Sequence, residues 1–255
     1  MAETPAEAAA GDRDLLAYGR DYIENYGFEK ALVGYRRRTV LRLLEELQPS
    51  HILEVGCGVE PLFAFYQSGR ATVVEPVDEF VRVAVELSGG HSDVTVMNAT
   101  LEAYAEQGTA EDFDCIVMSG VLHEVGDADR LMRAARRLAR PGTALHVNVP
   151  NALSLHRLLG VEMGLLHSPF ETSELGARLQ RKREFDLPSL ISLLRMHGFE
   201  PFETGSYFVK PFTHAQMEQL MSSGVLDERV LDALYSVTRF LPDLGAEIFV
   251  NSRLS

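Results

Sequence analysis

The sequence predicts an α/β fold, a mostly parallel sheet with helices packed on both of its faces. From residue 31 onward, short apolar runs alternate with stretches of helical periodicity. Five such runs are separated by helices long enough to cross over and return in parallel, which favours right-handed connections. The first run, His51-Ile-Leu-Glu-Val, ends in the turn Gly56-Cys57-Gly58, where the backbone is stripped of side chains.

Each element follows from the local pattern. Met1 to about Gly11 is rich in Ala and Glu without periodicity, and residues 1–11 are expected to be a disordered tail. Residues 12–48 read as an N-terminal helical unit. Within it Leu32, Val40, Leu43, Leu44 and Leu47 recur at helical spacing over 31–48, until Pro49 stops the helix. Strand 51–56, helix 61–68, strand 71–75, helix 78–88, strand 93–97, helix 100–107 and strand 114–119 come next. A helix at 127–139 ends before Pro141-Gly142, and strand 143–149 is the fifth. Residues 152–184 contain no convincing strand and read as helical pieces around 153–159 and 174–182. Helix 187–197, a strand near 199–209, helices at 213–222 and 226–240 and a last strand at 246–251 complete the chain. Residues 49–255 are therefore expected to form one domain with 152–184 as an insertion, and no internal repeat is present.

Composition narrows the function. The 255 residues are 46% hydrophobic and 24% charged, ordinary values for a globular protein. A formal net charge of −13 argues against nucleic acid as a partner, because such binding needs a basic footprint. The compact basic runs, Arg36-Arg37-Arg38 and Arg181-Lys182-Arg183, read as solvated helix faces. No run of 18 apolar residues and no basic-then-apolar leader occurs, so neither a membrane span nor a signal peptide is expected, and the expected location is cytoplasmic. Cys57 and Cys115 fall at strand ends and read as small buried hydrophobes of a reducing compartment. No metal is expected, since nothing has zinc spacing. Oligomeric state is open, with a homodimer among the assemblies in view.

The first turn suggests the ligand. Seventeen residues after Gly58, the run Ala71-Thr-Val-Val-Glu75 also ends in an acid, which places Glu75 at the tip of the neighbouring strand. There it can accept two hydrogen bonds from a ribose diol. A dinucleotide fingerprint would need glycine at position 61, where this chain has Pro61, and no Walker-type loop occurs.

Together these residues resemble motif I of the class I S-adenosylmethionine-dependent methyltransferases, Glu/Asp-x-Gly-x-Gly-x-Gly. The sequence departs from it at Glu60, which replaces the last glycine. A carboxylate there is expected to face away from the cofactor or to cap a helix starting at Pro61. The fourth run with its sequel, Phe113 to Asp127, resembles motif IV and the segment after it. Arg140 to Asn151 resembles the next strand of ubiquinone-pathway O-methyltransferases, and bacterial natural-product methyltransferases are similar in plan. The resemblance implies a Rossmann-like seven-stranded sheet whose last strand is antiparallel, a helical acceptor-pocket insertion at 152–184, and an N-terminal lid. It implies S-adenosylmethionine as cofactor, held by Glu54, Gly56, Cys57, Gly58, Glu75, Pro76, Asn98, Ala99 and Ser119. It implies methyl transfer to a small-molecule acceptor, with oxygen slightly preferred over nitrogen or carbon. C-methylation of the indole of a tryptophan-containing cyclodipeptide and a non-catalytic S-adenosylmethionine-binding protein stay open beside it. A nicotinamide-dependent oxidoreductase is disfavoured by Pro61.

Methyl transfer from a sulfonium needs alignment and exclusion of water more than a covalent nucleophile, and a base only where the acceptor holds its proton tightly. His123, just beyond the fourth strand, is the candidate general base, and Glu124 could orient its ring. The alternative is a histidine that only positions its loop. His146 reads as a core residue and His51, His91, His197 and His214 as peripheral. His156 and His167, with Phe170 and Glu171, fall in the insertion and within reach of an acceptor. Tyr18, Tyr22 and Tyr26 recur every four residues on an N-terminal helix. They form either an amphipathic packing face or a lid that supplies aromatic walls and a hydroxyl to the reaction. Asn148 and Asn151 flank a strand end, where they could bind the acceptor or simply close a turn around Pro150.

Overall fold

The structure, a computed structural model, describes residues 14–24, 27–67, 69–108, 111–172, 176–177 and 182–255. The proposed tail at 1–11, Tyr26 and most of the 174–182 piece lie outside the described residues. Among the described residues, seven strands form one sheet: β1 His51–Val55, β2 Arg70–Glu75, β3 Val94–Asn98, β4 Cys115–Ser119, β5 Ala144–Pro150, β6 Phe199–Tyr207 and β7 Glu247–Leu254. Their order is β3-β2-β1-β4-β5-β7-β6. β1 pairs in parallel with β2 and β4, while β7 runs antiparallel to both β5 and β6. The strand order reverses at β1, so the switch point lies where the glycine turn leaves the sheet.

The helices are α1 Leu15–Glu24, α2 Gly27–Leu47, α3 Asp78–Ser88, α4 Leu101–Glu106, α5 Ala128–Leu138, α6 Leu155–Glu162, α7 Leu187–Met196, α8 His214–Ser222 and α9 Glu228–Ser236. All five residues of β1 are buried, as expected for a strand covered on both faces. Leu53, Val55, Ile116, Leu145 and Val147 pack toward Leu101, Leu131, Met132, Leu190 and Leu194 of α4, α5 and α7. On the other face Ile52, Cys115 and Val117 meet Val40 and Leu44 of α2, and Val73 meets Phe63 and Ala84. The N-terminal half of α2 reaches the start of β7, where Phe28 and Leu32 form a smaller core with Phe208, Met217, Leu231 and Phe249.

Two readings around β1 and its crossover need correction. The helix expected at 61–68 is a single 3-10 turn, Leu62–Ala64. Tertiary contacts cut it short: the Tyr66 hydroxyl donates to Leu44 O of α2 at 2.8 Å, and Arg70 N–H already joins Ser50 O at 2.8 Å. The chain turns back at Gly69, whose φ is +47° and whose position leaves a Cβ 2.0 Å from Ser50 O. His51 is not peripheral; it is 2% exposed, with Nε2 3.0 Å from Thr72 Oγ1 and its ring against Phe113.

The cysteines are free and buried, and burial pushes the Cys115 thiol up to about 12 and raises that of Cys57, so both stay protonated at neutral pH. Among the described residues no helix is long and apolar enough to cross a membrane. Gly69→Ala is expected to destabilise the protein by about 2–4 kcal/mol, from a left-handed φ plus a backbone clash. Urea unfolding measures it, and a loss below the error of the fit would contradict the tight reversal before β2.

Candidate active site

The carboxyl ends of β1 and β2 converge on the glycine turn. Gly56 has φ +72° and a Cβ there would lie 2.7 Å from Val121 Cγ2, so the turn is pressed against the segment after β4. Gly58 also has a left-handed φ, +55°, but a Cβ there would meet nothing within 4 Å. The backbone is therefore bare and open on that side, as a close-approaching ligand requires.

Glu75 borders this opening. It is 3% exposed; one oxygen accepts the Gly58 N–H at 3.3 Å and the other the Val77 N–H at 2.9 Å. The carboxylate also interacts with the Cys57 thiol, so it is held in place at the edge of the opening. Pro76 and Val77 continue the rim, and Asn98 at the tip of β3 donates its amide to Asp78 at 2.6 Å. Ala99 N–H is held by Glu75 O at 3.2 Å.

Glu54 sits behind the turn, 6% exposed, with both oxygens toward the Leu62 N–H at 3.1 and 2.9 Å. A carboxyl thus occupies the N–H that a pyrophosphate would need, and the three-residue 3-10 turn offers no helix N-terminus in its place. The residues fit an adenosyl ligand without phosphate. Burial first, and the charge of Glu75 second, push the Glu54 carboxyl up to about 8, against one backbone hydrogen bond that lowers it. Glu60 is turned away from the opening: Arg37 Nη1 donates to it at 2.6 Å, and the same guanidinium lies 3.6 Å over the Phe65 ring.

Beyond β4, Ser119 stands opposite Asn148 of β5. His123 follows in a turn closed by Glu124 N–H to Val121 O, and its own carbonyl accepts the Lys182 N–H at 3.0 Å. His123 is 4% exposed, and its Nε2 lies 3.6 Å from Glu124 Oε1. These two neighbours are brought together as the sequence suggested.

Other candidates are placed differently. Asn151 Oδ1 accepts the Leu153 N–H and closes a local turn, while its amide donates to Asp243 O and Gly245 O in the segment before β7. His156 Nδ1 contacts Ser154 Oγ at 3.1 Å. His167 and Phe170 are exposed, and the Glu171 carboxylate accepts the His167 N–H. Tyr18 and Tyr22 pack on Phe80, with ring centroids 6.3 and 5.7 Å away, in a cluster with Val59 and Val77. Gly19 brings α1 against Val77 (3.1 Å for a built Cβ), so this helix covers the glycine-turn side of the sheet edge.

The sequence reading missed a buried charged cluster. Arg36 of α2 is not a solvated residue: its side chain is 14% exposed and grips Glu247 at the start of β7 through Nε and Nη2. Nη2 also donates to Glu29 at 2.9 Å. Tyr207 and Asn148 both donate to Glu247, and Asn148 reaches the buried His146. The signal was present in helical phase, because Arg36 lies four residues from both Leu32 and Val40 on the buried stripe. His214, taken as peripheral, links Lys210 Nζ at 2.8 Å to Glu29 at 3.0 Å.

Among the described residues no group of three His, Cys, Asp or Glu could hold a metal. A groove lined by Ser50, Asp114, Arg140 and Arg253 opens at the amino edge of the sheet, the end away from the glycine turn. The Glu54 environment has a consequence for stability. Its folded value of about 8 exceeds the ordinary 4.5, so between them the folded state holds a proton that the unfolded state has lost. Stability from this group is therefore full at low pH and falls as pH rises toward 8. Glu54→Gln should remove a slope of up to about 1.4 kcal/mol per pH unit in that window. Urea midpoints at several pH values measure this, and parallel profiles for both proteins would contradict it.

Comparison with known proteins agrees with this geometry. Residues 28–204 match the model of a family described as Methyltransferase domain. Two curated relatives are each 28% identical, over 158 and 145 residues. They are a hybrid PKS-NRPS synthetase of Thermothelomyces thermophilus (56% of this chain, 4% of the relative) and the mitochondrial ubiquinone biosynthesis O-methyltransferase of Homo sapiens (51% and 38%). The chain thus spans well under half the length of these relatives. A SAM-dependent methyltransferase from Thermotoga maritima superposes with a TM-score of 0.61 at 18% identity, over 94% of this chain and 99% of that one. The 1,6-didemethyltoxoflavin-N1-methyltransferase of Burkholderia thailandensis, solved with S-adenosylhomocysteine, gives 0.57 at 16% identity, over 100% and 92%. At such identities the structures establish the shared fold, whereas the family match covers most of the chain. The chain belongs to the methyltransferase-domain family.

Proposed function

We propose that the protein methylates a small-molecule acceptor of secondary metabolism, with oxygen the preferred target atom and His123 the general base. The observation that carries this reading is the buried His123 on the segment after β4, whose preceding Val121 touches the glycine turn at Gly56. S-adenosylmethionine, when bound, supplies an electrophilic methyl group on a sulfonium. Glu75 and the bare Gly58 backbone hold the adenosyl part, and Asn98 with Ala99 flanks the base-binding rim. α1 acts as the lid: Tyr18 and Tyr22 cover the ligand side of Val59 and Val77 and exclude water.

Nε2 of His123 lies 3.6 Å from the Glu124 carboxylate, close enough to stabilise the ring once it is protonated. With S-adenosylmethionine bound, His123 would take the proton of the acceptor hydroxyl as that oxygen accepts the methyl group. The insertion around α6, with His156, His167 and Phe170, forms the acceptor side. Natural-product chemistry is favoured by the company the sequence keeps, since one relative is a hybrid PKS-NRPS synthetase and one structural neighbour is a toxoflavin-pathway N-methyltransferase.

Two variants test the roles. His123→Ala should lower turnover of a radiolabelled methyl donor by about 10²–10⁴-fold, the range a positioned base supplies, with S-adenosylhomocysteine affinity unchanged. Full activity would remove His123 from the chemistry. Gly58→Ala should cost about 1–2 kcal/mol of stability from its left-handed φ and weaken S-adenosylhomocysteine binding at least tenfold. An unaltered affinity would place the ligand elsewhere.

A further inference from the structure

The Arg36 guanidinium carries five N–H groups. One on Nε and both on Nη2 are committed, to Glu247 and Glu29. The Tyr207 hydroxyl also neighbours the guanidinium, and among the described residues no carboxylate takes the two on Nη1. Nη1 is also the guanidinium atom nearest Gly120, 3.5 Å from where its Cβ would stand. Gly120 follows β4, has φ +76°, and is followed by Val121, which touches the glycine turn. A Cβ at Gly120 would sit in van der Waals contact with the Nη1 edge of the guanidinium, so glycine leaves that edge uncovered.

The charge around this donor pair is already balanced. Glu29 and Glu247 face Arg36 directly, and Lys210 joins the cluster through His214. Two carboxylates meet two cations, so an anionic ligand would arrive with no net charge to meet it. Fork-like donors with their charge neutralised suit an uncharged oxygen, such as a carbonyl or a phenolic hydroxyl.

We propose that Arg36 is an acceptor-binding residue whose Nη1 edge holds an uncharged oxygen of the methyl acceptor, positioned by Glu247 and Glu29. This excludes carboxylated and phosphorylated acceptors as preferred ligands, and it rests on the methyltransferase reading above. Tyr207 and Asn148 act through Glu247, fixing the carboxylate that fixes the arginine.

Titration calorimetry on the full chain saturated with S-adenosylhomocysteine tests it, with catechol as the neutral probe and 3,4-dihydroxybenzoate as its carboxylated counterpart. Catechol should bind at least tenfold tighter than the dihydroxybenzoate. Arg36→Lys, which keeps the cation beside Glu247 and loses the Nη1 pair, should weaken catechol about tenfold while retaining S-adenosylhomocysteine affinity. No catechol binding, equal or tighter binding of the carboxylated probe, or wild-type catechol affinity in Arg36→Lys would each overturn the proposal. If Arg36→Lys fails to fold, the order of affinities in the wild-type protein decides alone. Loss of S-adenosylhomocysteine binding by the wild-type protein would instead overturn the reading on which the proposal rests.

Discussion

The hydrogen bond from Gly58 N–H to the buried Glu75 carboxylate ties together the two strands on which the site depends. It spans the switch point of the sheet, joining the turn after β1 to the tip of β2. Together with the Gly56 N–H bond to Val74 O at 2.9 Å, it fixes the glycine turn relative to the acid beside the opening. The bond needs glycine's left-handed φ at 58, a β2 register that brings Val74 opposite Val55, and a strand pair buried on both faces. Apolar packing by α2, α3, α4 and α5 therefore serves the site by holding one carboxylate within reach of one N–H.

A second carboxylate, Glu54, answers a different problem. The crossover from β1 to β2 lacks a helix, so the first N–H of its 3-10 turn would be buried without a partner. Glu54 accepts it, and burial keeps that carboxyl protonated near neutrality. The ligand that fits such an edge is a nucleoside without phosphate, in keeping with the family to which the chain belongs.

What was legible in the sequence was local. The apolar run of β1, the Gly-x-Gly turn and Glu75 at its fixed spacing announced the fold and the meeting of Glu75 with the glycine turn, because strand burial and left-handed turns leave residue-type signatures. The alternation of elements was read nearly to the residue for α3, since 78–88 carries its own amphipathic period. The missing helix after Pro61 was not legible: Tyr66 on Leu44 and Gly69 against Ser50 are contacts between distant segments. The Arg36 cluster was hidden for a similar reason, as its partners Glu247 and Tyr207 come from the far end of the chain. Asn151 shows the converse, a polar residue at a strand end whose amide is spent on backbone carbonyls of the segment before β7.

The adenosyl grip at the carboxyl edge is tested most directly by titrating the wild-type chain with S-adenosylhomocysteine and with its 2′,3′-dideoxy analogue. Saturable one-to-one binding of the first, and at least tenfold weaker binding of the analogue, is the result expected if Glu75 holds the ribose diol. Equal affinities, or no binding of either by folded protein, would contradict it.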